Sequence, residues 1–237
     1  MVEEFLSSEE VFFDLLSTLP KFVDLDHLAV SLAQVPKVSN QRTAERLLAD
    51  LVFLKRTLRD LPDIVNILKK CKAPMMKEVL AVLDDSTRNT LLELILTVLE
   101  ENCVITKSNQ TTMRAQLVFA VKAGISSLLD VGRAAYYEAV EAIHQEVAMI
   151  KEHNNLQDAK LMYSASRGYH LSVPKSVLES LPDNLLIQRV HKGKRVFCST
   201  PDLISLDARQ NEAFSEVLFR TDRVIEDLLV ELRVYMV

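Results

Sequence analysis

A chain of 237 residues with 49% hydrophobic side chains has enough apolar material for one or two buried cores, which excludes a disordered or fibrous class. Its formal charge of −5 excludes a surface coated uniformly for nucleic acid. Cys71, Cys103 and Cys198 show no CxxC spacing and no paired histidines, so neither a disulfide framework nor a metal site is expected. No apolar run reaches the ~20 residues of a membrane span, and the acidic opening lacks a signal-peptide pattern. A soluble intracellular protein without a membrane partner is the expectation.

All four glycines fall after residue 123, and the first half is punctuated by Pro20, Pro36, Pro62 and Pro74 instead. Ser7 and Glu10 have capping-box spacing ahead of Val11, Phe12, Leu15 and Leu16, so a first helix is predicted to start there and stop near Pro20. Helices follow at Leu25–Ala33, Gln41–Leu58, Pro62–Cys71, Pro74–Leu83 and Thr87–Glu101. Leu47, Leu51, Leu54 and Leu58, with Leu92, Ile95 and Leu99, are the expected core stripes of an all-α bundle. The polar run Thr106–Thr112 reads as a surface loop. From Ala115 to His153 no proline intervenes, and Val118, Val121, Ile125, Leu128, Tyr136, Val140, Ile143, Val147 and Ile150 recur at helical steps. One helix of roughly 55 Å is predicted, with Gly124 and Gly132 on one face, either for a close helix approach or as a local kink. His144 and His153 are expected in solvent.

Beyond His153 the period changes to two. Lys160–Ser164 and Tyr169–Val173 flank a turn at Ser166-Arg167-Gly168, and Leu186–His191 and Arg195–Cys198 flank another at Lys192-Gly193-Lys194. Pro174 and Pro182 bracket the link between the two hairpins. Thr200 as cap, Pro201 as first helical residue and Asp202 in the first turn then open a return helix reaching Tyr235. Its expected buried positions are Leu203, Leu206, Ala213, Val217, Val224, Leu228 and Leu232. The fold is therefore mainly α: a helical bundle with two long antiparallel helices and a small antiparallel β tip. The expected segments are 1–153 for bundle and first long helix, 154–199 for the β tip, and 200–237 for the return helix.

Charge singles out the tip. Between Lys160 and Arg195, seven cations (Lys160, Arg167, Lys175, Arg189, Lys192, Lys194, Arg195) face two acids, Glu179 and Asp183, a local +5 that leaves −10 elsewhere. These cations are the candidate nucleic-acid contacts, because they could neutralise backbone phosphates without reading bases. The bland alternative is a solvated hairpin whose edge lysines discourage aggregation. Tyr163, Tyr169 and Phe197 are read as strand core rather than base-stacking groups. No phosphate loop, dinucleotide fingerprint, zinc-protease, serine-hydrolase or calcium-loop motif is present, and acidic pairs such as Asp84-Asp85 and Glu100-Glu101 sit at helix ends. No catalytic residues, no metal and no cofactor are expected in this chain.

Four stretches carry a resemblance: Phe119-Ala-Val-Lys-Ala-Gly-Ile-Ser-Ser-Leu-Leu-Asp, Glu141-Ala-Ile-His, Ser166-Arg-Gly-Tyr-His-Leu-Ser-Val-Pro, and Ser199-Thr-Pro-Asp-Leu-Ile-Ser-Leu-Asp-Ala-Arg-Gln-Asn-Glu-Ala. They resemble the lever and clamp region of MutS proteins, and the opening Met1-Val-Glu-Glu-Phe-Leu-Ser-Ser-Glu-Glu-Val-Phe-Phe is similar to the family's meiotic branch. The resemblance implies an α-helical core whose levers end in a β clamp around Lys160–Cys198, which closes on double-stranded DNA through backbone contacts. It implies a nuclear protein of homologous recombination, associated with Holliday junctions and crossover formation and paired with MutS homologue five. ATP and magnesium would belong to the family's separate ATPase domain, which these residues do not resemble, so the chain is expected to be a fragment, a truncated product or an incomplete gene model. Two alternatives stand beside this reading: a mismatch-repair member of the same family, and a helical scaffold that binds a protein partner.

Overall fold

The computed structural model describes residues 5–6, 8–83, 86–106, 109–180, 185–190 and 195–235, with the backbone alone at 178–180 and 188–190. Ser7, Asp84-Asp85, Pro182, Asp183, His191 and the turn Lys192-Gly193-Lys194 lie outside the described residues. The chain divides into two compact units, Met1–Ile105 with Phe119–Ile125 and Thr221–Val237, and Thr106–Val118 with Ser126–Arg220.

In the first unit the helices are α1 (Glu9–Thr18), α2 (Leu25–Ala33), α3 (Gln41–Leu68), α4 (Pro74–Leu83) and α5 (Thr87–Val98). The Glu10 carboxylate takes a hydrogen bond from Lys70 Nζ at 2.7 Å, and Ser8 occupies the N-cap of α1 without a side-chain bond. Asp24 caps α2 through the His27 N–H at 3.0 Å, and Asn40 with Thr43 forms a capping box on α3. The two helices predicted on either side of Pro62 are one, α3, with the proline inside it. An interior proline costs ~3 kcal/mol through its missing N–H and its clash with the preceding turn. Packing on both sides of the break offsets this: Leu47, Leu48, Leu51 and Leu58 are buried before it, and Ile64, Val65, Ile67 and Leu68 after it. Helix α3 is the axis of this unit, touching α1, α2, α4 and α5. Ile95 and Leu99 are fully buried as predicted, whereas Leu54 and Leu92 are half-buried.

Helix α5 stops at Val98, three residues before the predicted end, because Leu99 forms a β-bridge with Val121. The Glu100 N–H bonds the Ala120 carbonyl and the Lys122 N–H bonds the Val98 carbonyl, both at 2.8 Å. This pairing also overturns the single long helix over 115–153. The chain instead forms α6 (Gln110–Val118), a connection through 119–126, and α7 (Ser127–His153). Gly124 sits at φ +82°, outside any helix, and Ser126 caps α7 through the Leu129 N–H. The backbone polar groups of 120–122 find partners in a bridge rather than along a helix axis, so periodic apolar residues did not suffice. Helix α7, at 27 residues, is about 40 Å long.

The second unit pairs α7 with the first twenty residues of α8 (Pro201–Arg233). Gly132 lies against Val217, Tyr136 against Phe214 and Glu138 against Arg209, so one number falls as the other rises and the helices run antiparallel. A Cβ on Gly132 would stand 3.2 Å from Val217 Cγ2, so the close-approach reading holds for this glycine. The α7 core face is Leu129, Tyr136, Ala139, Ile143, Val147 and Ile150, whereas Leu128, assigned to it from spacing, is 58% exposed. His144 and His153 are exposed, as expected. On α8, Phe214, Val217 and Leu218 are buried in this unit, while Leu206 and Ala213 are only half-buried.

Four strands follow α7: β1 (Lys160–Ser164), β2 (Gly168–Pro174), β3 (Leu186–Val190) and β4 (Arg195–Ser199), all antiparallel in the order β1-β2-β4-β3. A 3₁₀ turn, Lys175–Ser180, joins the hairpins. One face, with Tyr169, Leu171, Val173, Val196 and Cys198, packs on Ile143, Val147 and Ile150 of α7 and Leu203 of α8. Burial raises the Tyr169 hydroxyl to about 12 and the Cys198 thiol to about 11.

Candidate nucleic-acid interface

The ladder sorts the candidate cations. Lys160 pairs with Ser172 and Ser172 with Phe197, so these positions share the face opposite the core, and Arg195 joins them two residues from Phe197. A register shift between Ile187 and Arg189 places Arg189 opposite Phe197 in the ladder as well.

Arg167 reaches the same face from the turn. Residues 165–167 connect Ser164 to Gly168, with the Arg167 N–H on the Ser164 carbonyl at 3.1 Å and Gly168 at φ +69°. A three-residue hairpin needs a left-handed residue in this place, and glycine takes it without a Cβ clash. The Arg167 guanidinium lies 5.2 Å from the centre of the Phe197 ring, whose edge contact with His170 is also at 5.2 Å. Phe197 thus belongs to the outer face rather than the core, and it holds an arginine rather than offering a free surface to a base. Tyr163 and Tyr169 take the strand-core role.

Arg195 is committed within the sheet. Its Nε donates to Ser172 Oγ at 2.8 Å, and Nη2 donates to the Ser172 and Asp158 carbonyls, the latter at 2.9 Å. These acceptors are neutral, so the positive charge remains on the face although the fork is occupied. Lys160 and Lys175 are exposed, Lys175 following Pro174 directly. Among the described residues, none of Lys160, Arg167, Lys175 and Arg195 pairs with a carboxylate. The structure therefore brings Lys160, Arg167, Arg195 and the ladder position of Arg189 together, with Lys175 at the margin. Lys192 and Lys194 lie outside the described residues.

Three residues that sequence reasoning missed support this face from behind. Arg114 of α6 stacks 4.0 Å from the Phe214 ring and 5.2 Å from Tyr163, bonds the Tyr163 hydroxyl, and donates to Asn211 Oδ1 at 2.8 Å. Asn211 donates in turn to Asp207 Oδ2 at 3.0 Å, and Asp207 Oδ1 accepts the Tyr169 N–H at 2.8 Å. The available signal was the spacing Asp207, Asn211, Phe214, which places two polar groups on one helical stripe with an aromatic. Among the described residues no cluster of His, Cys, Asp and Glu is suited to a metal, and no helix is long and apolar enough to cross a membrane.

Fold and site together define a class: an antiparallel helical arm tipped by a small sheet with one cationic face. Residues 124–216 match MutS family domain IV, which covers α7, the sheet and the start of α8. Over 98% of its length the chain is similar to MutS protein homolog 4 of Mus musculus (30% identity) and Homo sapiens (28%), and to DNA mismatch repair protein MSH4 of Arabidopsis thaliana (27%). It spans 24%, 25% and 30% of the mouse, human and Arabidopsis proteins, respectively. The match to MutS family domain IV thus falls on the helical arm and its sheet, and the similarity to MutS protein homolog 4 extends over nearly the whole chain.

Proposed function

We propose that this chain is the DNA-gripping core and clamp of a MutS-family protein of meiotic recombination. It holds duplex or junction DNA by the phosphates through the outer face of its sheet. The observation that carries this reading is the gathering of Lys160, Arg167 and Arg195 on one face with no carboxylate partner among the described residues. A protein with an overall charge of −5 leaves such charges uncompensated where a polyanion supplies the counter-charge. Half-burial of Phe197 beneath Arg167 favours backbone contact over base stacking. The similarity to MutS protein homolog 4 supports a nuclear role at Holliday junctions, as one subunit of a heterodimer with MutS homologue five. In this reading the chain contributes binding, and ATP and magnesium serve a separate ATPase domain.

The test is a salt titration of binding to a duplex, a mismatched duplex and a four-way junction. A Lys160→Glu/Arg167→Glu double variant should bind more weakly and flatten the slope of log K on log salt by ~0.9 for each phosphate it no longer neutralises. Equal binding by wild type and variant across the series removes the clamp assignment. Preference for the mismatch over the junction favours a repair role instead. A second reading, a protein-docking scaffold, draws on Leu128 and Val131, which are 58% and 67% exposed on one stripe of α7. Capture of the second meiotic subunit without DNA binding would select it.

A further inference from the structure

The carboxylate of Asp207 lies where simple electrostatics would not put it. A Cβ built on Gly168 would stand 2.0 Å from Asp207 Oδ2, so the acid is pressed against the turn that carries Arg167. Among the described residues Asp207 forms no ion pair with Arg167 or any other cation. A negative charge this near a phosphate-binding surface opposes the ligand, so its place calls for another reason.

That reason is the end of a ladder. Pairing of β2 with β4 stops at Leu171 and Cys198, because the chain leaves β4 at Ser199 and enters α8. The Tyr169 N–H beyond that point has no strand carbonyl on this side, and a buried unpaired N–H is costly. Asp207, in the second turn of α8, supplies the acceptor at 2.8 Å. Its other oxygen is fixed by Asn211 Nδ2 at 3.0 Å, and Asn211 is fixed by Arg114 at 2.8 Å. The backbone at 168–169 is thereby tied to the helix, and Arg167, the residue before Gly168, is presented over Phe197.

We propose that Asp207 is a positioning residue for phosphate binding: by holding the Tyr169 amide and the Gly168 turn it aims Arg167 at the ligand, despite its own unfavourable charge. This rests on the reading of the sheet as a phosphate-binding face. Two properties make it separable from a merely structural role: its effect on binding opposes its effect on net charge, and it acts through Arg167 alone.

The experiment measures binding of a labelled 30-base-pair duplex by anisotropy, with the full chain and with Asp207→Ala, Asp207→Asn and Arg167→Gln, singly and combined. Exchange of the Tyr169 amide hydrogen is followed in parallel. Asp207→Ala should bind about eight-fold more weakly at 0.1 M salt, the counterion-release value of one neutralised phosphate, although it is one charge more positive. Tyr169 should lose protection. Asp207→Asn keeps a carbonyl oxygen for the Tyr169 N–H but sets an amide donor against Asn211 Nδ2, so it should restore protection and binding in part, to a level above Asp207→Ala. In the Arg167→Gln background Asp207→Ala should weaken binding no further. Unchanged or tighter binding by Asp207→Ala overturns the proposal, as does an equal loss in the Arg167→Gln background. Failure of the wild-type chain to show salt-dependent duplex binding would instead sink the underlying reading, and the positioning role with it.

Discussion

Arg195 and Lys160 carry the same charge on the same face, and the structure assigns them different work. The Arg195 fork holds β4 to Ser172 of β2 and to the turn at Asp158, whereas the Lys160 ammonium is exposed and makes no hydrogen bond among the described residues. Replacing Arg195 by lysine keeps the charge and removes the planar fork. Hydrogen bonds from a charged donor are each worth ~1.5–3 kcal/mol, and three that share one half-exposed side chain do not add, so a loss of about 1–3 kcal/mol is expected in the local stability of the sheet. Amide exchange at Ser172, Val173 and Phe197 should therefore accelerate by roughly five- to 150-fold, since 1.4 kcal/mol is a factor of about ten. The salt dependence of duplex binding should keep its slope, because the number of cations is unchanged. Lys160→Gln should do the reverse, leaving exchange at wild-type rates and flattening the slope by ~0.9. Wild-type exchange rates in Arg195→Lys would refute the account of Arg195, and an unchanged slope in Lys160→Gln would remove Lys160 from the binding surface.

Other consequences lie away from the cationic face. Lys55, 3% exposed, donates to the carbonyls of Glu100 at 2.7 Å and of Glu101 and Cys103 at 2.9 Å; Lys55→Met leaves them without this donor and should cost about 3–5 kcal/mol in urea unfolding, with a loss below about 1 kcal/mol counting against the assignment. Gly132→Leu forces a side chain against Val217 and should destabilise the α7–α8 pair by about 1–3 kcal/mol or more, read from amide exchange in α7. Thiol labelling at pH 8 should reach half-exposed Cys103 first and spare Cys71 and Cys198 until unfolding. Burial raises the Cys198 thiol from 9.0 to about 11, so the folded state holds it neutral while the unfolded state ionises. Its contribution is complete below pH 9 and is lost as pH rises from 9 through about 11; a rise in stability over that window would contradict the sign.

The strands of the sheet were readable within a residue or so, because alternation and turn chemistry act over a few positions: Lys160–Ser164 was placed without error, and Gly168 holds the left-handed position its turn demands. The start of the return helix at Pro201 was legible for the same reason, with the Thr200 hydroxyl accepting the Leu203 N–H at 3.1 Å. Candidate cations could be named from charge, yet their roles could not. Whether an arginine faces solvent or a neighbouring carbonyl depends on what the fold brings beside it, as Arg195 and Asp158 show across 37 residues.

By itself the sequence determined a mainly helical chain, a four-stranded tip with excess positive charge, and the helices that flank it, since each rests on local periodicity and capping. Tertiary structure alone decided that Val121 pairs with Leu99 and divides the expected long helix, and that burial carries α3 through Pro62. It alone placed Asp207 under the Arg167 turn. In each case the deciding energy comes from groups far apart in the chain, where a hydrogen bond or a buried side chain outweighs local preference.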